Sequence, residues 1–588
     1  VVTQSHPWGY QRKDNNATLT LSDRRNALTA IRDSSDNKTC SYVDVPQTHR
    51  FPYDADLPIP LSFLLEVFSV KQDNGPSFLM ELCKEHLPAV LKTKHFGSNP
   101  KSYFERLSER LDNADCNMDI FSAIKSLSHL EIPGIVVDQT VLKAEDEQSG
   151  EDPTLFVRLN SSGTRIEGEE LIYSIYKASF PTTKSLVESI GARFVPASRV
   201  ISLVARLALA KTAEGNYPPA MSIQEFKKRI KQDNFKSAIK ELIGEQSTSP
   251  ASLLFERAFK LLRCQDDLNV PPVLVKSLVK GSPDLLLLLL RWLQINDREA
   301  SDRERRQILG TVTALSWFGR DNVRYVRDLW CKITEPEFWS KDILSIPFLA
   351  KSDFIMYPLV RASILRDFLL QDVVEKNTRW DDLYPPHESR ILTIYRSTLK
   401  TDSEEATAIA ARGTWDSFMN KLFACKSLVL FAQRKYINDS FGEFNQMETL
   451  EDTNTPWDWD HIYPSSWVDG KWYIDPNTKH WTHSIGNIRA LSLEENRSEN
   501  NRLSPRDRLF NEETRLDVRQ QSFVRDDWKY WSLIQGRINA GETEKIKLHL
   551  SAVIHRLCNI YEEWYASLMV GELFDFENRS HFTTGSIK

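Results

Sequence analysis

The sequence predicts a mainly α-helical protein with small α+β parts. Three observations carry that prediction. Apolar residues recur at spacings of three and four over 63–130 and again through most of 186–399, which is the period of a helix face. Strand signals are few and short, the clearest being the apolar run 132–137. One aromatic-rich stretch, 457–502, alternates and turns in a way that reads as a hairpin followed by a helix.

Taken in order along the chain, the first clear element is the segment 57–62, Leu-Pro-Ile-Pro-Leu-Ser, a loop entering a helix. After the strand at 132–137 comes an acidic loop, 145–152, and then a strand and turn over 155–166 that lead into a helix opened by Glu169. Helices are expected over 199–210, 251–263, 283–294 and 303–318. The stretch 225–231, with Lys236 and Lys240 beyond it, is basic; it reads as a solvated helix face or as a phosphate contact. Thr-Asp-Ser-Glu-Glu at 401–405 marks a boundary, and helical patterning resumes at Trp415. The segment 426–436 is expected to pack beneath the hairpin. The helix over 551–573 carries Tyr561, Trp564 and Tyr565 as core.

Composition narrows the function classes. A chain of 588 residues has room for several cores. The net charge of −6 excludes a uniformly basic nucleic-acid binder, so DNA contact has to come from local patches. The seven cysteines (40, 83, 116, 264, 331, 425 and 558) are scattered, without C-x-x-C spacing. Neither a zinc site nor a disulfide framework follows, and a reducing, cytoplasmic location is expected. The longest strongly apolar run, 285–290, stops at Arg291, too short for a membrane span. No signal peptide is recognisable. The first residue is Val1 rather than Met, so the natural start is expected to lie upstream.

The richest chemistry lies in 457–502. Its first part, WDWDHIYPSSW, holds Asp460-His461 followed by Ile462 and Pro464; its second, HSIGNIRALSLEENRSENNR, holds Asn487 and, nine positions on, Asn496. Phosphodiester hydrolysis needs a base for water and a cation for developing charge. A neutral imidazole serves as the base near pH 7, which makes His461 the candidate. Asp460 and Asn496 offer oxygen ligands suited to Mg²⁺ or Mn²⁺, with Asn500 and Asn501 as rival ligands. His480 and His483 read as supporting loop residues. His461 is placed on the first strand, Asn487 at the opening of the return strand, and Asn496 on a helix beginning near Ser492. The arginines 502, 506 and 508 are expected to add positive charge beside the site.

This stretch resembles the ββα-metal (HNH) nuclease domain at the C-terminal end of GmrSD-type restriction enzymes, whose pattern is D/E-H-I-x-P followed by L-G-N-L and a later asparagine. The resemblance implies that Asn487 holds the loop that aims His461. It extends to the other end of the chain. Tyr10-Gln11-Arg12 and Asp23-Arg24-Arg25-Asn26-Ala27-Leu28-Thr29-Ala30-Ile31 resemble the family's YQR and D-G-Q-Q-R-L-T-A-L motifs, and 155–171 its F-x-R-x-N-x-x-G segment. The family's ParB/sulfiredoxin-like domain binds a nucleotide, here GTP or ATP, which implies roles for Tyr10, Gln11, Arg12, Asp23, Arg25, Asn26, Ala27, Arg158, Asn160 and Gly163. Ala27 stands where the family has arginine, a phosphate-binding residue, so weak nucleotide turnover is expected.

The implied organisation is a nucleotide-binding sensor domain over 1–185, a helical connector over 186–400 and a nuclease domain over 401–588. Within the family the chain also resembles the SspE-like branch, bacterial antiphage nucleases that respond to phosphorothioate-modified DNA. Pro7, Trp8 and Tyr10 are candidate walls of a sulfur pocket. Double-stranded DNA and a nucleoside triphosphate are the expected partners, with a homodimer left open and no membrane contact. Two other readings stay open. One is a modification-dependent enzyme that cuts glucosylated or hydroxymethylated DNA; the other is a non-catalytic DNA-binding regulator with a vestigial nuclease.

Overall fold

The computed structural model describes residues 19–22, 28–31, 41–43, 75–86 and 100–112. From 168 to 574 it describes all but 191–193, 213–215, 245–248, 341–356, 358, 387–388, 390, 394–395, 397–402, 443–456, 493–495, 497–502 and 511–514. The first described elements form a three-stranded antiparallel sheet in the order β1 (Leu19–Ser22), β2 (Leu28–Ile31), β3 (Ser41–Val43), and β2 is the Leu-Thr-Ala-Ile end of the 23–31 motif. Pro7, Trp8, Tyr10, Gln11, Arg12, Asp23, Arg25, Asn26, Ala27, Arg158, Asn160, Gly163 and the expected strand at 132–137 lie outside the described residues.

Most of the remaining described chain is helical. After α1 (Gly75–His86) and α2 (Pro100–Asp112), α3 (Gly168–Ser179) carries Glu169 and Glu170 in its first turn, where carboxylates complement the helix dipole. Glu169 also reaches Arg199 at 2.5 Å on α4 (Ala197–Thr212). The basic segment forms α5 (Ile223–Ile230). It is capped by Ser222, buries Phe226 and Ile230, and pairs Arg229 with Glu225 at 2.9 Å. Four helices of the middle region start and stop within two residues of expectation: α4, α6 (Pro250–Arg263), α7 (Pro283–Ile295) and α8 (Asp302–Phe318). Their starts are written locally. Ser249 and Ser301 cap α6 and α8, and prolines occupy the first turns of α6 and α7, where a missing N–H costs nothing.

The second half is built around one long helix. The elements before it are α9 (Ala362–Leu369), α10 (Glu404–Ala424), α11 (Lys426–Ala432), α12 (Arg434–Phe441), the strand pair β4 (Trp457–His461) and β5 (Ile488–Ser492) with α13 (Pro476–Thr482) between them, and α14 (Pro505–Phe510). The long helix is α15 (Thr543–Ser567); Met569 then turns through the left-handed region into α16 (Val570–Leu573). Helix α15 packs on α9, α11 and α13. It also bonds across position 400. Tyr561 donates to the Val360 carbonyl at 2.9 Å, Trp564 donates to Thr313 on α8 at 2.9 Å, and Arg366 on α9 donates to Asn559 at 2.9 Å. The middle and C-terminal helices therefore share one core, with Tyr561 and Trp564 fully buried in it. No described helix is long and apolar enough to cross a membrane.

One buried group makes this core sensitive to acid. His549 on α15 has no exposed surface, shares a 2.9 Å hydrogen bond with Thr482 and lies against the Tyr463 ring. Burial pushes its pKa down to about 3. The unfolded chain takes up this proton near pH 6.5, and the folded chain does so only near 3. Between those values the unfolded state binds more protons, so stability is lost as pH falls, at up to about 1.4 kcal/mol per pH unit. We expect the urea midpoint to drop between pH 7 and pH 4 and His549→Gln to flatten that slope. Equal slopes in the two proteins would show that His549 is not the group responsible.

Candidate active site

Strand β4 pairs antiparallel with β5, setting Asp460 opposite Arg489 and His461 opposite Ile488. Alternation along a strand sends Trp457, Trp459 and His461 to one face and Asp458 and Asp460 to the other. The outer edge of β5 is covered by a side chain. Gln433, between α11 and α12, accepts from the Ala490 N–H at 2.8 Å and donates to the Ala490 carbonyl at 3.1 Å, as a neighbouring strand would. Tyr436 on α12 accepts from the Ser492 N–H at 3.0 Å. The segment 426–436 thus lies along the edge of the strand pair.

Asn487 closes the loop that follows His461. Its Oδ1 accepts from the Tyr463 N–H at 2.8 Å, and its Nδ2 donates to the carbonyls of Tyr463 and Thr482 at 2.9 and 2.8 Å. Its own carbonyl accepts from the Ile462 N–H at 2.9 Å. The side chain is fully buried with every amide bond made, so the backbone after His461 is fixed from inside. Arg556, from α15, holds the other side of the same turn by donating to the carbonyls of Ile485, Gly486 and Ile488 at 2.9–3.1 Å.

His461 has a buried Nε2 that makes no hydrogen bond to the described residues. Burial holds its pKa below the usual histidine value, and the nearby His483 acts in the same direction. The ring is therefore neutral at pH 7 and able to accept a proton. The His483 ring stands perpendicular to it, with centroids 5.5 Å apart. Lys426, at the start of α11, lies over the Trp459 ring at 5.0 Å on the same face of β4, and its charge also bears on His461. Burial lowers the Lys426 pKa. The sequence pattern assigned no chemical role to His483 or Lys426; both come to His461 from other elements, and no spacing rule within 457–502 marks them.

Asp460 does not face the site as a free carboxylate. Arg489 donates to it from Nε at 3.0 Å, and Arg508 on α14 from one nitrogen to both oxygens at 3.1 and 2.9 Å. Arg508 also reaches the His461 carbonyl at 3.1 Å. All three side chains are buried. A divalent cation at Asp460 would meet two guanidinium charges, so the carboxylate in this arrangement does not fit the ligand role expected of it. Arg508 is correspondingly an internal partner of Asp460 rather than a surface charge. Asn496 is helical, as expected, while Ser492 belongs to β5. The Asn496 Nδ2 donates to Asp458 at 3.3 Å rather than lying at Asp460. Among the described residues, no three His, Cys, Asp or Glu side chains converge as a metal-binding group. His480 is stacked on Phe423 and packed against Trp380, away from any ligand role.

Residues 400–537 match one family of known proteins: GmrSD restriction endonucleases, C-terminal domain. No curated protein and no solved structure matches the chain. The GmrSD match covers β4, β5, His461, His483, Asn487 and Arg508, and it ends before α15, the helix on which these elements pack.

Proposed function

We propose that the chain is a DNA endonuclease of the GmrSD restriction type, which hydrolyses a phosphodiester with His461 as the general base. The match over 400–537 supports a restriction endonuclease. The observation that carries the mechanism is the buried, unpartnered Nε2 of a neutral His461 whose adjoining loop is fixed by Asn487. A buried nitrogen without a partner is costly, and a water or substrate group at His461 would complete it. His461 takes the proton of a water as the water oxygen attacks phosphorus, and the bond to the departing sugar oxygen breaks. Lys426 provides positive charge on the face of β4 that the phosphate approaches. The resemblance to ββα-metal nucleases implies Mg²⁺ or Mn²⁺, which would stabilise developing negative charge.

The test is conversion of supercoiled plasmid to open circles by the full chain. His461→Ala is expected to lower the rate by about 10²–10⁴-fold with an unchanged circular-dichroism spectrum. Full activity in that variant would remove His461 as the base. The same assay with EDTA reads the cation requirement.

For the whole protein we propose antiphage defence in the bacterial cytoplasm, with an N-terminal nucleotide-hydrolysing region that senses phosphorothioate-modified DNA and controls nicking. The support is the Asp23–Ile31 motif and its similarity to the SspE-like branch. The second reading, an enzyme that cuts glucosylated or hydroxymethylated DNA, fits the restriction-endonuclease match at the C-terminal end equally well. Restriction of one phage in hosts with and without phosphorothioation separates them: dependence on host sulfur supports the first, and indifference the second.

A further inference from the structure

The proposed hydrolysis leaves one well-placed group unused. His483 caps α13, and its Nε2 lies 3.1 Å from the Asp469 carboxylate. Both side chains are about half exposed, 46% and 49%, so substrate can reach the pair. The other ring nitrogen, Nδ1, makes no hydrogen bond to the described residues. The ring stands perpendicular to that of His461 at 5.5 Å between centroids. An imidazole oriented by a carboxylate through one nitrogen presents its second nitrogen in a fixed direction. The pair therefore places a second imidazole, oriented by a carboxylate and open to solvent, beside the ring of His461. The groups that face His483 are Asp469 from the loop after β4, His461 from β4 and His480 from α13.

We propose that His483, held by Asp469, is the general acid of the cleavage and donates a proton to the leaving oxygen while His461 accepts one from water. This rests on the endonuclease reading of the same site. The step balances. The water oxygen forms a new bond to phosphorus and its proton passes to His461. The bond from phosphorus to the departing sugar oxygen breaks with its electron pair on oxygen, and that oxygen takes the proton of His483. Exchange with solvent then returns His461 to the neutral form and His483 to the protonated form.

A leaving-group substitution tests this. The substrate is duplex DNA in which sulfur replaces the leaving oxygen at one linkage, prepared as 3′- and as 5′-bridging phosphorothiolates. A thiolate is a far weaker base than an alkoxide and departs without a proton. With the full chain, His483→Ala is expected to cut ordinary DNA about 10²-fold more slowly or worse, yet to cut one of the two sulfur substrates within a few-fold of the unaltered chain. Asp469→Asn should show a smaller loss, rescued by the same substrate. His483→Gln provides a second, closely sized variant whose fold can be checked. His461→Ala should be slow on both kinds of DNA. An undiminished rate for His483→Ala on ordinary DNA, or an equal loss on ordinary and sulfur DNA, overturns the acid role. If the unaltered chain cuts neither, the endonuclease reading itself fails, and the two failures are told apart by that control.

Discussion

Asp460→Ala is expected to destabilise the protein by about 3–5 kcal/mol, because it leaves two guanidinium groups buried without their counter-charge. Arg489 is fully buried, Arg508 is 4% exposed and Asp460 6%. The carboxylate sits on β4 directly opposite Arg489 and receives Arg508 from α14, so it ties three elements together. Asp460→Asn keeps the shape and removes the charge, and its loss should be of the same sign. Replacing the whole cluster with apolar residues of similar volume, as in Asp460→Leu with Arg489→Met and Arg508→Met, should recover much of the loss, since no charge is then left buried. Urea unfolding of the four proteins is the measurement. A midpoint for Asp460→Ala equal to that of the unaltered chain would mean that the arginines are compensated elsewhere and Asp460 is free for another role.

Gly486→Ala carries the second large effect. A Cβ at this position would lie 2.1 Å from the carbonyl oxygen of Val553 on α15 and 3.0 Å from a Val553 side-chain carbon. Helix backbone cannot give way as a flexible side chain can. The strand pair would have to move off α15, taking with it the turn that Arg556 and Asn487 hold. Overpacking of this kind costs about 1–3 kcal/mol and occasionally more. The larger consequence is functional, since a displaced Asn487 releases the loop after His461. We expect nicking to fall by more than the loss of folded protein accounts for. Activity per folded molecule, from nicking rates normalised by near-ultraviolet circular dichroism, decides this. An unchanged specific rate would show that the turn tolerates the shift.

The two predictions rest on features with different visibility in the sequence. Helix ends in the middle region were legible because their signals are local: Ser249 and Ser301 each accept from a backbone N–H three residues on. The start of α10 was not: helical patterning was expected only from Trp415, whereas the helix begins at Glu404, capped by Ser403. The strand that carries His461 was legible from the Asp-His-Ile-x-Pro pattern and its resemblance to a ββα hairpin. The partners of the site were not. Arg508 meets Asp460 from 48 residues away and Asp469 meets His483 across 14, and nothing in either local pattern marks the pairing. Asp460 illustrates the limit. Its position beside His461 suggested a shared task, yet adjacent strand residues point to opposite faces, and only the fold reveals that its face holds two arginines. Gly486 was visible as part of Ile-Gly-Asn-Ile, but the reason for it lies far along the chain, at Val553 on α15.

The dependence of the strand pair on α15 has a consequence for when the His461 loop takes its final form. Synthesis proceeds from the N-terminus, and domains settle as their parts emerge. His461 and Asn487 leave the ribosome well before the helix that fixes their turn, which begins at Thr543. Arg556, which holds the carbonyls of Ile485, Gly486 and Ile488, comes later still. A nascent chain can therefore expose the whole Asp-His segment without an aligned base, and alignment waits until the middle helices are already in place to receive α15. On the proposed nuclease reading, the cutting site takes shape only once the rest of the described core has emerged to hold it.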